Sequence, residues 1–75
     1  MTTADVLTER ALSLARSGAD TDEAVRELLV LCAGRRVAAV RARQNVMAWL
    51  DSAPDQHAAM QAMGFFDELL NRLPV

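Results

Sequence analysis

The sequence predicts an all-α fold, a small bundle of three to four helices forming one domain over 1–75. Three observations point there. A Ser, Thr or Asp with an acid three positions later precedes an apolar run at Thr2–Asp5, Asp20–Glu23 and Ser52–Asp55. The apolar residues that follow repeat every three or four positions, not every two as a half-buried strand requires. Isoleucine and tyrosine are absent, and the three glycines and two prolines cut the chain into helix-length pieces.

The first helix is expected over about 3–17, with Ala4, Leu7, Ala11, Leu14 and Ala15 on one face, Val6 and Leu12 off it, and Gly18 as its stop. The second is expected over about 21–33, its acidic first turn (Asp22, Glu23) suited to the helix dipole. Its apolar face comprises Ala24, Val25, Leu28, Leu31 and Cys32, widened by Leu29, with Gly34 as the stop. One bent helix running through Gly34 is the competing reading. The third, about 36–51, is apolar on two sides: Val37, Val40, Met47 and Leu50 on one, Ala38, Ala42 and Trp49 on the other. Such a helix is either central in its bundle or shared with a partner. The fourth, about 53–72, starts after Ser52 with Pro54 in its first turn. Its stripe of Ala59, Met63, Phe66, Leu70 and Leu73 keeps phase through Gly64, which predicts one unbroken helix.

Composition narrows the function. A chain of 75 residues buries only about 60% of its unfolded surface, so it gains much from a partner. Cys32 is the only cysteine and His57 the only histidine, so neither an internal disulfide nor a four-ligand zinc site can form, and no cofactor is expected. A net charge of −2 gives no overall attraction to nucleic acid or anionic membranes. The N-terminal stretch lacks the apolar core of a signal peptide and no run is long enough to span a bilayer, so a cytoplasmic location is expected.

Within this frame, Arg35, Arg36, Arg41 and Arg43 concentrate positive charge at the start of the third helix. They are the candidate nucleic-acid contacts. At 100° per residue they spread around the helix, which disfavours that role. The flanking helices invite comparison with a helix-turn-helix, but Val30 stands where a small residue is needed and Arg35 where an apolar one is. Cys32 lies on an apolar face and reads as a buried, inert thiol; His57 reads as a surface residue. Catalysis would require both to meet in a cleft, and no enzymatic activity is expected. Ala38, Ala42, Trp49 and Phe65 are the candidate partner-binding residues, small side chains allowing close approach beside aromatic anchors. The functional expectation is a non-enzymatic helical interaction module or regulator that forms a homodimer or engages another protein. The alternatives are a nucleic-acid-binding regulator and an accessory subunit of a larger complex.

Overall fold

A computed structural model describes residues 2–52 and 55–73. Four helices make up nearly all of it: α1 (Thr3–Arg16), α2 (Thr21–Cys32), α3 (Arg36–Ser52) and α4 (Gln56–Arg72). No strand occurs among the described residues.

The helix starts follow local chemistry. Thr2 accepts the Asp5 N–H at 3.1 Å and Asp5 accepts the Thr2 N–H at 3.3 Å, a complete capping box. The Asp20 carboxylate accepts the Glu23 N–H at 2.8 Å. At α4 the expected pattern fails. Ser52 is the last residue of α3, and Asp55 occupies the N-cap without a side-chain bond to the helix. Its carboxylate is held instead by Arg16 of α1, with the Arg16 Nε at 2.8 Å. Tertiary pairing has outcompeted the cap, and α4 begins later than expected. Pro54 lies outside the described residues.

Ends follow the same logic. Gly18 takes a positive φ of 79° after α1. At α2 the turn is made by two consecutive left-handed residues, Ala33 (φ 52°) and Gly34 (φ 78°), so α2 and α3 are separate helices and not one bent one. α4 runs unbroken through Gly64, as its apolar phase predicts.

The helices sit at the corners of a flattened rhombus. α1 and α4 each pack on all three others, whereas α2 and α3 barely meet. The core therefore lies along the α1–α4 diagonal, with Leu7, Leu28, Phe66 and Leu69 fully buried. Polar links tie each side of the rhombus. Arg10 forms a two-pronged pair with Glu27 between α1 and α2. Arg72 meets Asp22 at 2.9 Å between α4 and α2, and Arg43 meets Asp67 at 2.8 Å between α3 and α4. Between α1 and α3, buried Thr8 donates to the Ala4 carbonyl and accepts from the Asn45 amide at 3.2 Å. No buried side-chain polar atom lacks a partner among the described residues.

α3 is thus a corner helix, and its orientation differs from the expectation. Ala39, Ala42 and Val46 are fully buried, with Ala38 and Leu50 packed at the core's edge. Val37, Val40 and Met47, expected to face inward with Leu50, point outward. Leu12 is buried although it lay off the expected face, and Leu31 is partly exposed although it lay on one.

Candidate functional site

The residues expected to bind a partner do not form one surface. Ala42 is fully buried and Phe65 is 3% exposed, both within the chain's own core. Phe65 and Phe66 are accommodated together because α4, on the short diagonal, is surrounded by core on a broad arc. Ala38 is half-buried against that core. Trp49 alone offers a large exposed area (42%). It lies in the groove between α1 and α3, beside Asp5, Thr8, Glu9 and Asn45.

The exposed apolar surface is elsewhere. Val37 is 80% exposed at the start of α3, followed along the helix by Val40 and Met47. The neighbouring α4 exposes Met60 (64%) and part of Met63. Three contacts fix the antiparallel register of the two helices: Arg36 to the Leu70 carbonyl, Arg43 to Asp67, and the Gln56 amide to the Leu50 carbonyl. In that register Met47 is level with Met60 and Met63. Together these side chains form an apolar seam along the outer face of α3 and α4, crossed by the Arg43–Asp67 pair. The 3.6-residue period marks Val37, Val40 and Met47 as one stripe, but it carries no sign to say whether that stripe faces in or out.

The arginines sort more sharply than their helical spacing suggests. Five of the chain's eight have carboxylate partners: Arg10, Arg16, Arg26, Arg43 and Arg72. Arg35, Arg36 and Arg41 have none among the described residues, which include every Asp and Glu side chain. All three line one open cleft of about 600 Å³ between the first turns of α1 and α3, together with Thr3, Ala4, Val37 and Ala38. Arg35 donates to the Thr3 hydroxyl at 3.2 Å and Arg36 to the Leu70 carbonyl at 3.1 Å, both neutral acceptors that leave the charge uncompensated. Arg43 belongs to the other side of the helix and is neutralised by Asp67. The convergence was hidden in the sequence because one wall of the cleft comes from the start of α1, some thirty residues upstream.

Cys32 and His57 stand at opposite ends of the bundle. The Cys32 thiol is fully buried and donates to the Arg35 carbonyl at 3.2 Å. His57 is exposed in the first turn of α4, against the Gln61 amide at 3.2 Å. They share no cleft, and no group of three or more His, Cys, Asp or Glu among the described residues is placed to hold a metal ion. No described helix is long and apolar enough to cross a membrane.

The depressed carboxyls mark structural ion pairs. Asp22 is held below its ordinary value by hydrogen bonding from Arg72 and the nearby charge of Arg26. Glu27 is lowered by its hydrogen bonds from Arg10. Both are exposed and serve to tie α2 to its neighbours. The chain matches no family model, and no curated protein or solved structure is significantly similar to it.

Proposed function

We propose that this chain is a non-enzymatic helical interaction module that pairs with a second copy through the outer seam of α3 and α4. One observation carries the reading. α3 occupies a corner of the bundle, yet it presents Val37, Val40 and Met47 to the outside beside Met60 of α4. A helix apolar on two sides that is not central has one side left for a partner. Methionines suit such a face, because their unbranched side chains adapt to an opposing surface. Size adds to the argument. A stable interface covers about 800 Å² per partner, roughly a sixth of the 4518 Å² this chain exposes. Burial on that scale supplements a small core.

The nucleic-acid reading has less support. Arg43 is paired with Asp67, and Asp5 and Glu9 lie in the groove that continues from the arginine cleft. Sedimentation equilibrium tests the proposal. Wild-type protein should dimerise at micromolar concentrations, and its thermal midpoint should rise with concentration, as mass action requires. Val40→Glu combined with Met47→Glu should give a folded monomer, since both side chains are on the surface. A wild type that stays monomeric, with a concentration-independent midpoint, overturns it.

A further inference from the structure

We propose that the cleft between the first turns of α1 and α3 is a docking site for a short acidic, partly apolar segment of a partner protein, with its carboxylates taken by Arg35, Arg36 and Arg41. This cleft shares only Val37 with the seam on α3 and α4; Val40, Met47 and Met60 lie outside it.

Charge is distributed unevenly among the arginines. A chain with more acids than bases can pair all its arginines internally, and five of the eight are paired here. The three left over are not scattered but line the same cleft. Two of them are braced from opposite sides, Arg35 on the Thr3 hydroxyl of α1 and Arg36 on the Leu70 carbonyl of α4. Each guanidinium has five N–H donors, so one such contact leaves several for a ligand. Arg41, about one and a half turns further along α3, is exposed and makes no hydrogen bond or ion pair among the described residues, so its guanidinium can turn toward a bound group. Planar guanidinium groups match a carboxylate with two parallel hydrogen bonds.

The walls define the rest of the occupant. Ala4, Val37 and Ala38 supply apolar surface between the arginines, and Val37 is among the most exposed large apolar residues of the chain. Small inorganic anions gain nothing from that surface, whereas an acidic segment carrying a leucine-like side chain does. The cleft is open, which suits a segment lying across it rather than an engulfed small molecule. Its surroundings argue against a long polyanion. Following the α1–α3 groove away from the cleft leads to Asp5 and Glu9. A nucleic-acid backbone laid along the groove would meet like charge within a few residues, while a short segment stops before it.

Fluorescence anisotropy provides the test, with a fluorescein-labelled peptide of mixed glutamate and leucine as probe. Its glutamine-for-glutamate counterpart serves as control, and a single-stranded DNA oligonucleotide and inorganic phosphate serve as competitors. The expected result is saturable binding that weakens with added salt, with little retention of the glutamine peptide. Arg35→Gln and Arg41→Gln should each weaken binding by about threefold to tenfold. Arg41→Glu should weaken it further without harming the fold, because that side chain is exposed and has no hydrogen bond or ion pair to lose among the described residues. Arg43→Gln should leave binding unchanged, because Arg43 already serves Asp67. Val40→Glu with Met47→Glu should also bind normally, which separates this site from the proposed dimer seam. Absence of saturable binding overturns the proposal, as does equal loss in Arg43→Gln or equal binding of the glutamine peptide. Tighter, Arg41-dependent binding of the oligonucleotide also overturns it in favour of nucleic acid, and full displacement by millimolar phosphate overturns it in favour of a simple anion site.

Discussion

Gly64→Ala isolates one contribution to stability with little interference from any other. Gly64 lies inside α4, which continues without a break from Gln56 to Arg72. A Cβ placed on it meets nothing within 4 Å, and its backbone is not left-handed. The substitution therefore creates no clash and gains no packing. What remains is the backbone freedom that glycine loses on entering a helix, about 1 kcal/mol relative to alanine. A stabilisation of about 0.5–1 kcal/mol is expected, partly realised through the unfolded chain. For a domain of this size that raises the thermal midpoint by about 2–8 °C. Urea and thermal melts followed by far-ultraviolet circular dichroism measure it. The slope in urea should not change, since the surface exposed on unfolding is the same. Gly34→Ala is the matched control. It too has open space around the added carbon, but its φ of +78° disfavours an L side chain, so it should lose about 1 kcal/mol. Loss of stability in Gly64→Ala, or the same sign of change in both variants, would refute the reasoning. Melts at low protein concentration keep self-association out of the comparison.

Two further expectations follow from the same structure. Ala33 takes a left-handed conformation at the end of α2 (φ 52°), so Ala33→Gly should stabilise by about 0.5–1 kcal/mol in the same melts, and a loss would mean that α2 ends differently. Arg72→Gln should raise the Asp22 carboxyl toward its ordinary value of 3.8, read by NMR titration, because hydrogen bonding from Arg72 is the main cause of its depression. A carboxyl depressed in the folded state adds stability that is fully present above the unfolded value of 3.8 and is lost as pH falls through the lower folded one. Wild type should therefore lose more stability on acidification through this range than Arg72→Gln, and equal acid sensitivity would remove the pair from the account.

Much of the fold was legible because its signals are local. Thr2 and Asp5 are three residues apart and need only each other to start α1. Ala59, Phe66 and Leu69 are buried along α4, and a glycine that needs no special conformation does not interrupt them. What failed depended on a distant competitor. Asp55 looked like part of a cap, and in isolation its carboxylate has free N–H groups to satisfy nearby. In the folded chain a guanidinium from α1 is the better partner, since its full charge outweighs a partial one. The arginine cleft was illegible for a similar reason. Helical angles measure how arginines spread around one axis, but the acceptors that hold Arg35 and Arg36 come from α1 and α4.

The inverted orientation of α3 has a different cause, and it bears on function. Hydropathy favours valine and methionine over alanine, so it points the Val37–Val40–Met47 stripe inward. Packing weighs volume as well. α3 must lie close to both α1 and α4, and the buried face it uses is Ala39, Ala42 and Val46, two of the three with the smallest apolar side chain. Larger residues there would push the axes apart and open space around Phe66 on the diagonal, where lost contacts cost about 24 cal/mol per Å³ of cavity. α4 brings bulk of its own to the core in Phe65 and Phe66, and close packing can then be reached with small residues on α3. The bundle can thus fill its core without calling on the larger apolar residues of α3. Val37, at 80% exposure, contributes little to the isolated chain, and Val40 (38%) and Met47 (45%) leave part of their surface in water. A stripe that is spare for folding and costly in water is the feature that a second copy would put to use.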